Sequence, residues 1–368
     1  MRSIRLLLLA LAITTACASP QVASADPPKP PPQQPRPPST PPAKGKPTPP
    51  AATTGTPPAA VAASPMAGRD FPDLPERVRA TVLCGDNADV IVAAGSGKIF
   101  RITRSHQVTQ TRGPEHPIAC QVRGTGASAL IAVTGTSGTY ARFNGTDWEY
   151  GLAPALDGED LSGAVLASAA RVTFAGRQRA MYTRDGDAWT MQRYPSGGID
   201  VVYVGTDASN TVYLVGAHGR IMAYSAGAFR DLNVTGIPAE VLSSTWVSGW
   251  YSSRSNALWV FTQRFAVKVD LASLRATVQK VPLFFDVQSA VGTSTARGDL
   301  FALMTFGDGA LYDGTSFSKA DLKDHRENGL YLDPVRSILF GSGWDGMVRA
   351  PVKHPYLGTG QADILKDR

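Results

Sequence analysis

The residues with the widest chemical range in this chain are few. Three cysteines stand at Cys17, Cys84 and Cys120, and five histidines at His106, His116, His218, His325 and His354. No Cys-x-x-Cys pair occurs and no two histidines sit at ligand spacing, so no metal site is expected. His218, in the turn "GAHGR", reads as a turn residue rather than a base. Cys84 and Cys120 form an even pair, which in an exported chain permits a disulfide; two buried free thiols are the alternative. Calcium would need several oxygens in one loop. "CGDNAD" at Cys84–Asp89 comes nearest, then "FGDGALYDGT", and both are ordinary turn compositions.

The stretch "RDGDAW" at Arg184–Trp189 is similar to the Asp-box of sialidase-like propeller enzymes, S-x-D-x-G-x-x-W, except that Asp185 directly precedes Gly186. Such boxes are structural turns. Catalysis in that family implies an arginine trio and a tyrosine with an acidic partner, and no such set is recognisable here. No catalytic residue, cofactor or metal is therefore assigned, and the chain is expected not to be an enzyme. A surface carbohydrate-active hydrolase or lyase is the alternative. A contact surface remains. "WVSGWYSSRSN" brings Trp250, Tyr251 and Arg254 together, with Trp250 and Tyr251 in a loop at the end of a strand; Trp344 and Asp345 of "GSGWDG" join them as candidates. Aromatic and arginine side chains of this kind suit contact with an envelope protein or glycan. Trp246 reads as core.

Charge does not add a nucleic-acid partner. The net charge is +6, but Arg2, Arg5, Lys29, Arg36, Lys44 and Lys46 against Asp26 place almost all of it before residue 69. The remainder is close to neutral, so nucleic-acid binding is not expected. Residues 1–16 read as an export signal: Arg2 and Arg5, an apolar run from Leu6 to Ile13, then small residues. The run is too short to span a bilayer. "TTAC" resembles the lipobox of bacterial lipoproteins, which implies acylation of Cys17; Thr14 stands where Leu is usual. The alternative is cleavage after Ala25 at "ASA", giving a periplasmic or secreted protein. Residues 17–68 hold 17 of the 28 prolines and read as a disordered, polyproline-like tether. At about 3 Å per residue such a tether reaches roughly 100 Å or more. The membrane is thus expected to be met through the lipid anchor alone, at the outer membrane or cell surface.

The elements that must hold any site come from a repeat in residues 69–368. Apolar strands end at Gly95, Gly135, Gly176, Gly216, Phe261, Thr305 and Gly341, at spacings of 40, 41, 40, 45, 44 and 36. Each fuller unit divides into four short strands, as in "IACQV", "ALIAV", "GTYARF" and "DWEYGL". Only "SKADLKDHREN" has helical character. A forty-residue period of four strands predicts an all-β propeller of seven four-stranded blades, with six as the runner-up. "FNGTDW" and "YDGTSF" fit tight hairpins before the outermost strand. Gly145, Gly186, Gly227 and Gly314 allow the turn, while Trp148, Trp189, Phe229 and Phe317 fill the gap between blades. The last unit shows no clear outermost strand, and "RDFPDLPERV" at 69–78 is a candidate to supply it.

The pattern resembles bacterial propeller repeats of the myxobacterial surface-protein type, Val-Trp-x-Ser, Asp-Val-Trp-Ala-Val-Gly and Gly-x-Ile-x-x-Tyr-Asp-Gly-x-x-Trp. Trp246, Ser248, Asn256 and Trp259 match the first half; Gly216, Gly219, Ile221, Tyr224, Gly227 and Phe229 match the second. The resemblance spans about residues 75–350 and implies a propeller; it implies little about activity. The expectation is an exported, lipid-anchored propeller that binds or scaffolds an envelope protein or glycan.

Overall fold

The computed structural model describes residues 80–353 apart from 87–88, 104–106, 284–285, 296–297, 306–308, 321–328, 334–337 and 343–347. The leader, the tether and the segment 69–78 lie outside the described residues. The described chain is a succession of antiparallel four-stranded meanders, each ordered inner, second, third and outer strand. The inner strands are Val82–Gly85, Pro117–Arg123, Leu161–Leu166, Val201–Thr206, Trp246–Ser252 and Ser289–Thr295.

The expected seven four-stranded blades are corrected to six. A further sheet of three described strands follows, Gly329–Asp333, Ile338–Ser342 and Val348–Lys353. The inner strand of this last sheet meets those of the first and sixth blades. Its Tyr331 packs among Ala80, Leu83, Ile91, Phe100 and Ile102 of the first unit, so side-chain packing joins the two ends of the array.

The second strands are mostly buried, and "VIVAAG" of Val90–Gly95 and "ALWVFT" of Ala257–Thr262 are buried along their whole length, whereas the outer strand Ala188–Arg193 is almost wholly exposed. A strand covered on both faces reads as a continuous apolar run, which is why the alternation in the sequence is only partial. The core lies between blades. Val90, Val92 and Ile99 of the first blade meet Ile131, Val133 and Phe143 of the second, with Trp148 at the margin. Trp189 reaches Tyr140 of the preceding blade at 5.8 Å between ring centres, and Phe229 reaches Tyr194 at 5.5 Å. Between the fifth and sixth blades Phe301 touches the rings of Trp259, Phe261, Tyr312 and Phe317.

The recurring hairpin has a simple mechanism. Asn144 Oδ1 accepts the backbone N–H groups of Thr146 and Asp147 at 2.9 and 2.8 Å, and Asp313 Oδ1 does the same for Thr315 and Ser316, both at 2.7 Å. Gly145 and Gly314 take φ of +100° and +95°, a backbone region that side chains disfavour. The expected helical stretch differs: Ser318–Ala320 complete the strand Phe317–Ala320, and the rest lies outside the described residues. The α-helix among the described residues is a single turn, Ala239–Leu242, in the long connection between the fourth and fifth blades. Trp246 Nε1 donates to its Val241 carbonyl at 3.1 Å, so Trp246 is core, 1 % exposed.

Phe301 carries the clearest test of inter-blade packing. Phe301→Ala should cost about 3–5 kcal/mol, the range for deleting a buried aromatic ring. A chemical-denaturation midpoint would read that loss.

Candidate functional site

Each sheet leaves its inner strand as an edge, because that strand pairs only with the second. The edges converge on a cavity of about 650 Å3, lined by all six inner strands together with Arg177, Gln288 and Tyr331. Four of these strands begin with the same irregularity. Ile118, Ser162, Val202 and Val247 are each an extra residue with no partner on the second strand, next to pairs that involve Gly135, Gly176, Gly216 and Thr262. All four line the cavity. A bulge bends a strand and re-aims a side chain, and here its repetition sets an apolar and hydroxyl collar.

Beyond the collar the wall is aromatic, and glycines make room for it. A Cβ on Gly249 would lie 2.7 Å from Tyr203 Cδ1, and one on Gly292 would lie 2.4 Å from Trp250 Cδ2. Tyr331 stands equally close to Gly85. Each ring therefore rests on the backbone of a neighbouring unit and also faces the cavity. Tyr203 is further held by the backbone N–H of Tyr251, which donates to its hydroxyl at 2.9 Å. Burial pushes the Tyr203 phenol up from its usual range, so it stays protonated at neutral pH. Gln121 Oε1 accepts the N–H of Leu166 at 3.2 Å in the same edge-closing manner. The ionised lining group is Arg177, and its Nε lies 2.8 Å from Asp200 Oδ1.

Of the residues expected to form a contact surface, Trp250 and Tyr251 do meet in this wall, but in a strand, not a loop: both belong to Trp246–Ser252. Tyr251 stacks on Tyr213 at 5.8 Å. Arg254 sits in the exposed turn after that strand and does not line the cavity. Trp344, Asp345 and Cys17 lie outside the described residues. Cys84 and Cys120 line the cavity and are joined by a disulfide, with Cα atoms 5.8 Å apart, linking the inner strands of the first two blades. Tyr203, Gln121, Ser162, Ser248 and Gln288 were not legible as site residues. The usable signal was a glycine beside an aromatic in an inner strand, as in "YVG" and "SGW".

Other sequence candidates resolve as structure. Asp86 accepts the N–H groups of Asp89, Val90 and Gly126 at 2.7, 2.9 and 2.7 Å, so "CGDNAD" is a turn staple. Arg184 of "RDGDAW" donates to Tyr140 Oη at 2.7 Å and pairs with Glu149 and Asp187, tying two blades together. His218 is exposed and lines a separate cleft with Gly197, Gly198 and Arg220. Among the described residues no cluster of His, Cys, Asp or Glu could hold a metal ion.

Asp299 fixes the strand that carries Trp250. This carboxylate, 6 % exposed, accepts Ser252 Oγ at 2.5 Å, Ser255 Oγ at 2.6 Å and Trp259 Nε1 at 3.0 Å. Burial works to raise its pKa, yet the hydrogen bonds from Ser252, Ser255 and Trp259 outweigh it and hold the carboxyl below its ordinary value.

No protein-family model matches the chain, and no curated protein matches it in sequence. Solved structures do. Virginiamycin B lyase from Staphylococcus aureus superposes with a TM-score of 0.61 at 11% identity, over 75% of this chain and 97% of that one. The Cps50 (Swd1) propeller domain of Myceliophteria thermophila gives 0.60 at 11%, over 75% and 97%. YCF48 bound to D1 peptide gives 0.54 at 14%, over 75% and 93%. The fold is a β-propeller. The expectation that the chain is not an enzyme is overturned as an inference from architecture, because lyases share that architecture over three quarters of this chain.

Two outcomes follow. In an unreduced proteolytic digest, mass spectrometry should find the Cys84 and Cys120 peptides linked; alkylation of both thiols without reduction would refute the bridge. Asp299→Asn should cost about 1–3 kcal/mol near neutral pH, the penalty for disrupting a buried hydrogen-bonded set. Because the folded pKa is depressed, Asp299 stabilises the protein above its unfolded value of about 3.9 and loses that contribution as pH falls through the lower folded value. Denaturation midpoints at pH 7 and pH 3 should therefore converge for wild type and variant on the acid side.

Proposed function

We propose that this chain is a lipid-anchored protein of the bacterial cell envelope whose propeller holds a ligand in the axial cavity. The observation that carries the binding half is the cavity itself: about 650 Å3, with a wall assembled from every four-stranded blade. That volume falls within the roughly 300–1,000 Å3 typical of small-ligand sites, which are apolar and aromatic with a few placed polar groups. Capture by this fold has a solved example in YCF48 with its D1 peptide.

The envelope half rests on sequence. The basic and apolar leader, "TTAC" ending at Cys17 and the proline-rich tether together support a reading as an export signal, an acylated cysteine and a spacer. The repeats' resemblance to myxobacterial-type surface propellers supports the same address. A spacer of this length carries the cavity clear of the lipid surface, toward partners in the envelope.

Cys17→Ser should abolish palmitate labelling and move the protein from the membrane to the soluble fraction. An unlabelled wild type with a mature N-terminus at Asp26 would replace the anchor by ordinary secretion. For the cavity, fractionated envelope extract should raise the melting temperature of the full chain. The Trp250→Ala variant should lose that shift, and an equal shift in both proteins would place the ligand elsewhere.

A further inference from the structure

The axial cavity combines three properties that narrow its ligand. The first is charge. Arg177 is the ionised side chain among the described lining residues, and Asp200 neutralises it at 2.8 Å. Among the described lining residues no further charged side chain is present to pair with a charged ligand, so such a ligand would lose hydration with little compensation. The second is hydrogen bonding. Ser162, Ser248, Gln121 and Gln288 ring the cavity, and Tyr203 accepts from a backbone amide, which leaves its own hydroxyl proton to donate. The third is the aromatic wall of Tyr203, Trp250 and Tyr331, each backed by a glycine.

A neutral peptide shares part of this chemistry, but its strongest mode here would be to add a strand to an inner edge, and that needs a continuous run of unpaired backbone groups. The edges are interrupted. The Tyr251 N–H is taken by Tyr203 and the Leu166 N–H by Gln121. The apolar collar residues Ile118, Val202 and Val247 stand where strand addition would have to begin. A sugar needs no extended edge. Its hydroxyls both donate and accept, matching amides and hydroxyls, and its C–H faces lie on aromatic rings.

We infer that the axial cavity binds a short, uncharged oligosaccharide, stacked on Trp250 and Tyr203 and hydrogen-bonded by Gln121, Gln288, Ser162 and Ser248. The inference rests on the axial-cavity reading above and specifies its ligand class.

Matched probes test it. Purified full-length protein is titrated calorimetrically with tri- to hexasaccharides of glucose, galactose and N-acetylglucosamine, with the galacturonate and glucosamine oligomers as anionic and cationic counterparts, and with an uncharged hexapeptide. At least one neutral oligosaccharide should bind, and its charged counterpart should bind at least tenfold more weakly. Trp250→Ala should weaken that binding at least tenfold. Should Trp250→Ala fail to fold, Gln288→Ala carries the test, because its side chain is exposed at the cavity. Charged and neutral oligomers binding alike, or no neutral oligomer binding at all, would overturn the saccharide inference. If the hexapeptide binds instead and Trp250→Ala abolishes it, the saccharide inference falls and the axial-cavity reading stands. If a sugar binds with undiminished affinity to both variants, the axial-cavity reading falls as well.

Discussion

Strand edges that point at one another across an axis need something other than a further strand to close them. An open edge carries unpaired N–H and C=O groups and invites pairing with another chain. In this propeller the neighbours' side chains close part of two of the gaps: Tyr203 takes the amide of Tyr251, Gln121 takes that of Leu166, and Arg123 donates to the Leu166 carbonyl. Tyr203 needs space beside the backbone and Gly249 provides it, as Gly292 does for Trp250. At Tyr203 the cavity wall and the closing of an edge are thus one interaction.

The same geometry explains where the hydrophobic core sits. A single sheet buries nothing by itself, so each pair of adjacent blades makes one cluster, from Val92 with Val133 at one junction to Trp259 with Phe301 at another. The blade repeat is a repeat of these junctions. Polar staples recur beside them, in the Arg177–Asp200 and Arg264–Asp286 pairs, each joining a turn of one blade to the segment that leads into the next inner strand. The Asp299 clamp works at the opposite ends of the strands, tying the fifth blade's inner strand to the sixth blade. Position along the axis is therefore held at both ends, and the cavity lies between the two sets of restraints.

Likeness in fold to a lyase, to a peptide-bound propeller and to Cps50 at 10–14% identity says that the scaffold is shared, while chemistry resides in what lines the axis. The sialidase-like set of arginines with a tyrosine and an acid is not assembled among the described lining residues, where Arg177 is the lone arginine. Sequence patterns missed most of this lining for a physical reason. Tyr203 and Gln121 look like ordinary strand residues until the bulges at Val202 and Ile118 turn the strands and the inner edges are brought together.

The forty-residue spacing, the turn glycines and the aromatic after each turn were enough to determine an all-β propeller, because each blade must repeat the same hairpins and the same inter-blade wedge. Tertiary structure decided what local patterns do not encode. Among the described residues it set six four-stranded blades and a further sheet of three strands. It placed Trp250 and Tyr251 in a strand facing the axis, and it joined Cys84 to Cys120. Those outcomes depend on how adjacent sheets pack face to face, and only the assembled blades define that packing.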